Sequence, residues 1–213
     1  MTGSLRTAAI FLAAAAAIAA TQAGWQAGVY VFKPLATALI LGLAASARRP
    51  PSPLYRHAIF TGLALSLAGD IFLMLPGDRF LAGLVSFLGA HLAYLVALTL
   101  GGGGFRWAPR ALVPVLAASL GVLAVVWPGL GDLVGPVLGY ILVISAMAWQ
   151  AGGRWLAVRS QGARLAAVGA WLFLASDSLL AIRRFAGDFV ADDVLILVTY
   201  WMAQWCLARS ADG

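Results

Sequence analysis

The sequence predicts an all-α membrane bundle of eight transmembrane helices, and three observations carry that prediction. The 213 residues are 62% hydrophobic and only 10% charged, with a mean hydropathy of +0.93. A soluble domain needs roughly 25% charged residues to cover its surface, so lipid must cover most of this chain. Apolar runs bounded by charge, Pro or Gly fall at about 5–23, 29–47, 57–75, 80–100, 108–127, 131–151, 163–182 and 189–208. Each is long enough to cross a bilayer as a helix, which satisfies its backbone hydrogen bonds within the segment. Finally, the arginines gather in alternate loops, the signature of a topology rather than of a nucleic-acid stripe.

Span 1 follows Arg6 and is rich in alanine. With Thr21-Gln22-Ala23 at its end it also fits a cleavable signal peptide. A retained helix is preferred, because eight spans put all five basic segments on one side. Span 2 carries Lys33 just before Pro34, near the outer end, where a lysine either snorkels to headgroups or enters a site. The loop 48–56 holds Arg48, Arg49 and Arg56. Span 3 carries Asp70, six residues before Pro76, and span 4 carries His91 and Tyr94, three apart and so on one face. Arg106 and Arg110 mark the next basic loop; Trp107, Trp127 and Trp155 fall near interfaces, as does Trp25. Span 6 contributes Tyr140 and is followed by Arg154, Arg159 and Arg164. Span 7 carries Asp177 six residues before Arg183, and span 8 carries Tyr200 and Gln204 at an i, i+4 spacing. Arg6 and Arg209 complete the basic set. The other side has Arg79, Arg183 and Arg184 accompanied by Asp78, Asp132, Asp188, Asp192 and Asp193. Both termini are therefore expected in the cytoplasm, with the chain as one transmembrane domain over 1–213 in a bacterial cytoplasmic (inner) membrane.

A shift of 107 residues aligns Gly62-Leu-Ala-Leu-Ser-Leu-Ala-Gly-Asp70 with Gly169-Ala-Trp-Leu-Phe-Leu-Ala-Ser-Asp177. The shift is close to half the chain, so spans 1–4 and 5–8 read as two copies of one unit. An even number of spans per copy makes the repeats parallel, related by an axis along the membrane normal. Such an axis would bring Asp70 and Asp177 to equivalent positions, and the same shift pairs Lys33 with Tyr140.

The sequence has no Glu, so carboxylate chemistry rests on eight aspartates, most of them at loop edges. One ionised Asp near mid-membrane costs about 2.5–3.5 kcal/mol on the gentlest scale. A structural reading pairs one Asp with Lys33 and leaves the other protonated between helices; two at matched depth point instead to a shared pocket. His91, Tyr94, Tyr200 and Gln204 read either as interhelical glue, at about 0.6 kcal/mol per bond, or as groups around that pocket. Arg183 and Arg184 read as a membrane-edge anchor or a phosphate holder. Gly101–Gly104 is a turn and not a phosphate loop, since no strand or Lys-[Ser/Thr] accompanies it. Cys206 is the one cysteine, and no His-x-x-x-His spacing occurs, so neither a disulfide framework nor a metal site is expected.

At these residues the chain resembles the lysoplasmalogenase (YhhN-like) family of small multispanning hydrolases. The resemblance runs through Lys33-Pro34, Ala68-Gly69-Asp70-x-x-Leu73-Met74, and Phe80, Gly83, Phe87, His91 and Tyr94 at their spacings. It continues in Phe173-Leu-Ala-Ser-Asp177-Ser-Leu-Leu-Ala181 and Leu197-Val-Thr-Tyr200-Trp-x-Ala-Gln204. It implies an eight-span bundle that cleaves the vinyl ether of lysoplasmalogens to a fatty aldehyde and a glycerophospho-head group, with Asp70 and Asp177 as the family's paired aspartates. The residues suit that chemistry. A vinyl ether is hydrolysed by protonation of its β-carbon, and water traps the resulting oxocarbenium ion. The step needs a carboxylic acid and a nearby carboxylate, the pairing glycosidases use around a similar cation. The expected partners are thus a lysophospholipid substrate and membrane lipid, with no nucleic acid and no cofactor; no feature encodes an oligomeric state. Asp70 and Asp177 are the expected catalytic pair. Lys33, His91, Tyr94, Tyr140, Arg183, Tyr200 and Gln204 are expected to position water or bind substrate. The rival reading is a non-enzymatic small transporter or lipid-binding protein, since parallel repeats with polar groups at the midplane also describe transporters.

Overall fold

The structure is a computed structural model that describes residues 3–212. Among the described residues the chain forms eight α-helices and no strand: α1 (Gly3–Gln22), α2 (Gln26–Ala45), α3 (Pro53–Met74), α4 (Phe80–Leu98), α5 (Pro109–Val126), α6 (Val134–Val158), α7 (Gln161–Phe185) and α8 (Asp192–Ser210). Each coincides with one predicted span. Seven of them are long and apolar enough to cross a membrane by length and composition. The eighth, α8, has Asp192, Asp193 and Arg209 at its ends and Gln204 within, yet more than half of its residues are buried. It is an interior helix that packs on α7, α2, α1 and α3, so neighbouring helices rather than lipid meet its polar face.

Several boundaries move from their predicted places for local reasons. Helix α3 begins at Pro53 because Ser52 caps it, its Oγ accepting from Tyr55 N at 3.0 Å, with Pro53 in the first turn where a missing N–H costs nothing. Helices α6 and α7 are 25 residues each and nearly continuous: Arg159 takes a left-handed φ of 57° and Ser160 caps α7 by accepting from Ala163 N. Pro34 lies inside α2 without ending it. Its ring leaves the Tyr30 carbonyl without its helical donor, a defect tolerated where neighbouring groups line a cavity.

The helices close a ring. In order around it α3, α2, α8, α7, α6 and α4 each pack on the next, and α4 returns to α3, the tightest contacts being α3–α4 and α7–α8. Helix α1 buttresses the ring against α2 and α8, and α5 buttresses it against α6 and α7. Close approach within α3–α4 depends on glycine: a Cβ on Gly69 would lie 2.7 Å from the Phe87 ring, and one on Gly62 would lie 2.3 Å from the Tyr94 ring. Leu12, Val113, Leu142 and Val85 are among the large apolar side chains left exposed on the outside, the surface a bilayer covers.

The five basic segments meet at one end. Arg6 donates to Ser46 Oγ, Arg48 N to the Asp212 carboxylate, Ser52 to the Gly101 carbonyl, and Arg154 to the Gly102 carbonyl. At the opposite end Arg184 pairs with Asp78 at 2.5 Å, and Arg183 pairs with Asp192 and Asp193.

Candidate active site

Asp70 on α3 and Asp177 on α7 come from opposite members of the ring and line one cavity of about 630 Å³. It opens between the α3–α4 and α7–α8 connections, where Asp78, Arg79, Arg184 and Asp188 stand at its mouth. The floor holds the two carboxylates, Lys33 and Tyr200. The two aspartates sit at unequal distances from their helix ends: Asp70 lies four residues before Met74, the last of α3, and Asp177 eight before Phe185, the last of α7. That is roughly 6 and 12 Å, where the sequence spacing suggested equal depths. Helix α7 runs past Arg183 and Arg184 because Asp192, Asp193 and Asp78 neutralise them.

Asp70 is 2% exposed and surrounded by donors. Tyr200 donates to its Oδ2 at 2.7 Å, Thr37 donates to the same oxygen at 2.8 Å, and Lys33 Nζ lies 3.6 Å from Oδ1. Thr37 in turn accepts from Trp201 Nε1 at 3.2 Å, which turns its hydroxyl proton toward Asp70. Three donors, one of them a cation, complement a charged carboxylate. Lys33 and Thr37 are one helical turn apart on α2, so one helix face supplies both.

Asp177 is held by a different set. Tyr140 donates to its Oδ2, and His91 Nε2 lies 3.0 Å from the same oxygen and 2.8 Å from the Tyr140 hydroxyl. His91 is fully buried and its Nδ1 has no partner. An unpaired buried N–H costs more than a bare acceptor, so the ring proton belongs on Nε2, donating to Asp177. Oδ2 thus carries the supporting bonds, while the other oxygen, Oδ1, has none among the described residues. Phe173 packs edge-on against the rings of both His91, at 4.6 Å, and Tyr200, at 5.6 Å, and so separates the two carboxylate clusters.

A second, narrow space of about 60 Å³ adjoins the first. It shares Leu73, Phe80, Phe87, Asp177 and Leu180 with the cavity and then runs between α4, α5, α6 and α7 among Leu84, Val122, Ile141, Ile144 and Leu174. Asp177 and Tyr140 stand where the polar cavity meets this apolar slot.

Of the residues singled out in the sequence, Asp70, Asp177, Lys33, Tyr200 and Arg183 line the cavity, and Tyr140 and His91 support Asp177. Arg183 is engaged by Asp192 and Asp193. Tyr94 and Gln204 are elsewhere: Tyr94 donates to Gln204 Oε1 at 2.7 Å, and neither lines the cavity. They tie α4 to α8 one turn farther from the mouth. Thr37 and Arg79 belong to the site and do not stand out in the sequence, whereas Phe87 and Phe173, also at the site, are marked there only by the family resemblance. Thr37 has a signal, its i+4 relation to Lys33, and Arg184 reads beside Arg183 as an anchor or a phosphate holder; Arg79 has none, because loop ends meet only through the tertiary fold. Among the described residues no group of three His, Cys or Asp side chains is placed to hold a metal ion.

Residues 28–211 match the YhhN family. The uncharacterized membrane protein YhhN of Escherichia coli O6:H1 is 30% identical over 190 residues, 87% of each chain. A lysoplasmalogenase of Mycobacterium tuberculosis is 36% identical over 170 residues, 75% of this chain and 60% of the relative. Human lysoplasmalogenase TMEM86B is 35% identical over 162 residues, 76% of this chain and 66% of the relative. No solved structure matches. A match over 28–211, together with relatives at 30% identity and above, establishes that the chain belongs to the YhhN family.

Proposed function

We propose that the chain is a membrane hydrolase that cleaves the vinyl ether of one-chain ether lysophospholipids by the joint action of Asp177 and Asp70. The observation that carries the reading is the pair of carboxylates from α3 and α7 facing one buried cavity, each with its own donors. The lysoplasmalogenase names of several relatives support the reaction class.

The surroundings divide the roles. Asp177 has a free oxygen and stands at the apolar slot, the side from which a hydrocarbon chain reaches the double bond. Its proton goes to the β-carbon, the alkene carbon that bears the chain, and the electron pair of the C=C bond forms the new C–H bond. The α-carbon becomes an oxocarbenium ion, which the carboxylates stabilise electrostatically. Asp70, on the head-group side, accepts a proton from water as the water oxygen bonds to the α-carbon. The hemiacetal then breaks its C–O bond: Asp70 gives the proton it took from water to the leaving glycerol oxygen, and the hemiacetal hydroxyl passes its proton to Asp177 as the aldehyde forms, which returns both carboxyls to their starting states. Vinyl ether plus water thus balances to aldehyde plus alcohol. His91 and Tyr140 orient Asp177; Lys33, Thr37 and Tyr200 orient Asp70. Arg79 has no ion-pair partner among the described residues and lies at the mouth, which suits it to a phosphate better than Arg183.

The same reading takes the 213 residues as one transmembrane unit made of two four-helix repeats. The donors support this: Asp70 is served by α2 and α8, Asp177 by α6 and α4, an exchange that a two-fold through the ring would make. Both termini lie in the cytoplasm of a bacterial inner membrane, and the reaction uses no metal or organic cofactor. A product assay on purified protein tests the function, with alkenyl, alkyl and acyl lysophospholipids side by side. Aldehyde is expected from the alkenyl lipid alone. Tight lysolipid binding with no aldehyde would replace the hydrolase by a lipid-binding protein.

A further inference from the structure

The slot beside Asp177 is walled by α4 and α5, two helices that share no extensive packing among the described residues. The main contacts of α5 are with α6, α7 and the short turn that follows it, while α4 packs chiefly on α3 and α6. Val122 and Val126 of α5 nonetheless face the same space as Leu84 and Phe80 of α4. The slot follows the bundle axis from the edge-to-face pair Phe80–Phe185, 5.6 Å apart at the mouth end, down to Ile144 and Leu174. Its hydroxyls are already occupied: Ser119 bonds Ser145 at 2.7 Å, and Ser178 donates to the Leu174 carbonyl at 2.6 Å. Beyond Asp177 and Tyr140 it therefore presents only apolar surface. At about 60 Å³ it is too narrow for a long chain until a wall moves, and α5 is the wall with the fewest neighbours.

We propose that this slot is the chain-binding subsite, and that one-chain lipids enter it sideways from the bilayer between α4 and α5. The chain lies along α5 and α6 with its first carbons beside Asp177, and the head group occupies the polar cavity. One slot admits one chain. A second chain would have to lie against Arg79, Asp188 and the carboxylates, so lipids with two chains are refused. The assignment of the reacting bond rests on the hydrolase reading, whereas occupancy of the slot does not.

The test uses a 1-O-alkyl lysophosphatidylcholine with a diazirine near the end of its chain, in phosphatidylcholine vesicles containing the protein. The alkyl ether is not a vinyl ether, so binding is read whether or not the protein is a hydrolase, and the product assay judges that reading separately. Photolabel is expected on Val122, Ile141 or Ile144, to be displaced by unlabelled lysophosphatidylcholine, and to withstand excess diacyl lipid. Ile144→Trp fills the far end and should lower labelling by about tenfold, the scale of an overpacked apolar site. Label confined to the lipid-facing Val113, Leu120 and Leu142, or competed equally by diacyl lipid, would overturn the proposal on the unsubstituted protein alone.

Discussion

Asp177→Asn and Asp70→Asn are each expected to reduce turnover by at least about 10²-fold, the lower end of what positioned acid–base catalysis supplies. They should differ in stability. An asparagine at 177 still accepts from Tyr140 and His91 through its amide oxygen. An asparagine at 70 leaves Lys33 as a cation with no counter-charge at the cavity floor, and breaking one side of a buried pair costs about 3–5 kcal/mol. Adding Lys33→Met to Asp70→Asn should therefore restore the melting temperature without restoring activity. Melting and turnover measured on the same three preparations check this, and recovery of turnover in the double variant would remove Asp70 from the chemistry. Because the two aspartates act as a unit, Asp70→Asn with Asp177→Asn should be little slower than either alone.

The helix pairs α3–α4 and α7–α8 form the two jaws of the cavity mouth, clasped by Arg184 and Asp78 at 2.5 Å. The hydrogen bond from Arg184, followed by that from Phe80 N, holds the Asp78 carboxyl below the usual carboxylate range. A carboxyl whose folded value is depressed stabilises the fold above its unfolded value, near ~3.9, and loses that effect as pH falls through the folded one. Asp78→Asn should thus melt slightly below the parent at neutral pH, more clearly at low salt because the pair is exposed. The gap should close as the solution is acidified past that range; a gap that closed near pH ~6 would point to a group of the histidine type instead. Such a clasp is not legible in the sequence, although the helices it joins are. Periodic apolar runs fix a helix and its face, so Asp70, Asp177, Lys33, His91, Tyr140 and Tyr200 can be grouped from their spacing. They do not fix height well. Tyr94 shares a face with His91, and Gln204 with Tyr200, but each lies a turn deeper, below the cavity floor, where it bonds the other instead of the site. Depth along α7 escapes the sequence for an electrostatic reason: two arginines mark a membrane edge only when nothing pairs with them.

Orientation belongs to the molecule as a whole. At one end Arg6, Arg48, Arg49, Arg106, Arg159 and Arg209 gather with Asp212 as the accompanying acid, whereas the other end sets Arg79, Arg183 and Arg184 against five aspartates. Unpaired basic residues resist translocation, and here they lie in loops short enough to count. Ten arginines at the basic end stand against three at the mouth end, two of them engaged by aspartates, and that count sets the bias. The basic end should face the cytoplasm, which places the mouth of the cavity, and the release of the polar product, on the far side. Single cysteines test this on a Cys206→Ser background, Cys206 being buried at 3% exposure. Phe105→Cys in the basic loop and Val190→Cys at the mouth end replace residues that are 63% and 93% exposed, so accessibility is limited by the membrane and not by packing. A membrane-impermeant maleimide added to intact cells should label position 190 and spare 105, and permeabilisation should open 105 to the reagent. Labelling of 105 in intact cells with 190 protected would invert the molecule and bring the reaction to the cytoplasmic face.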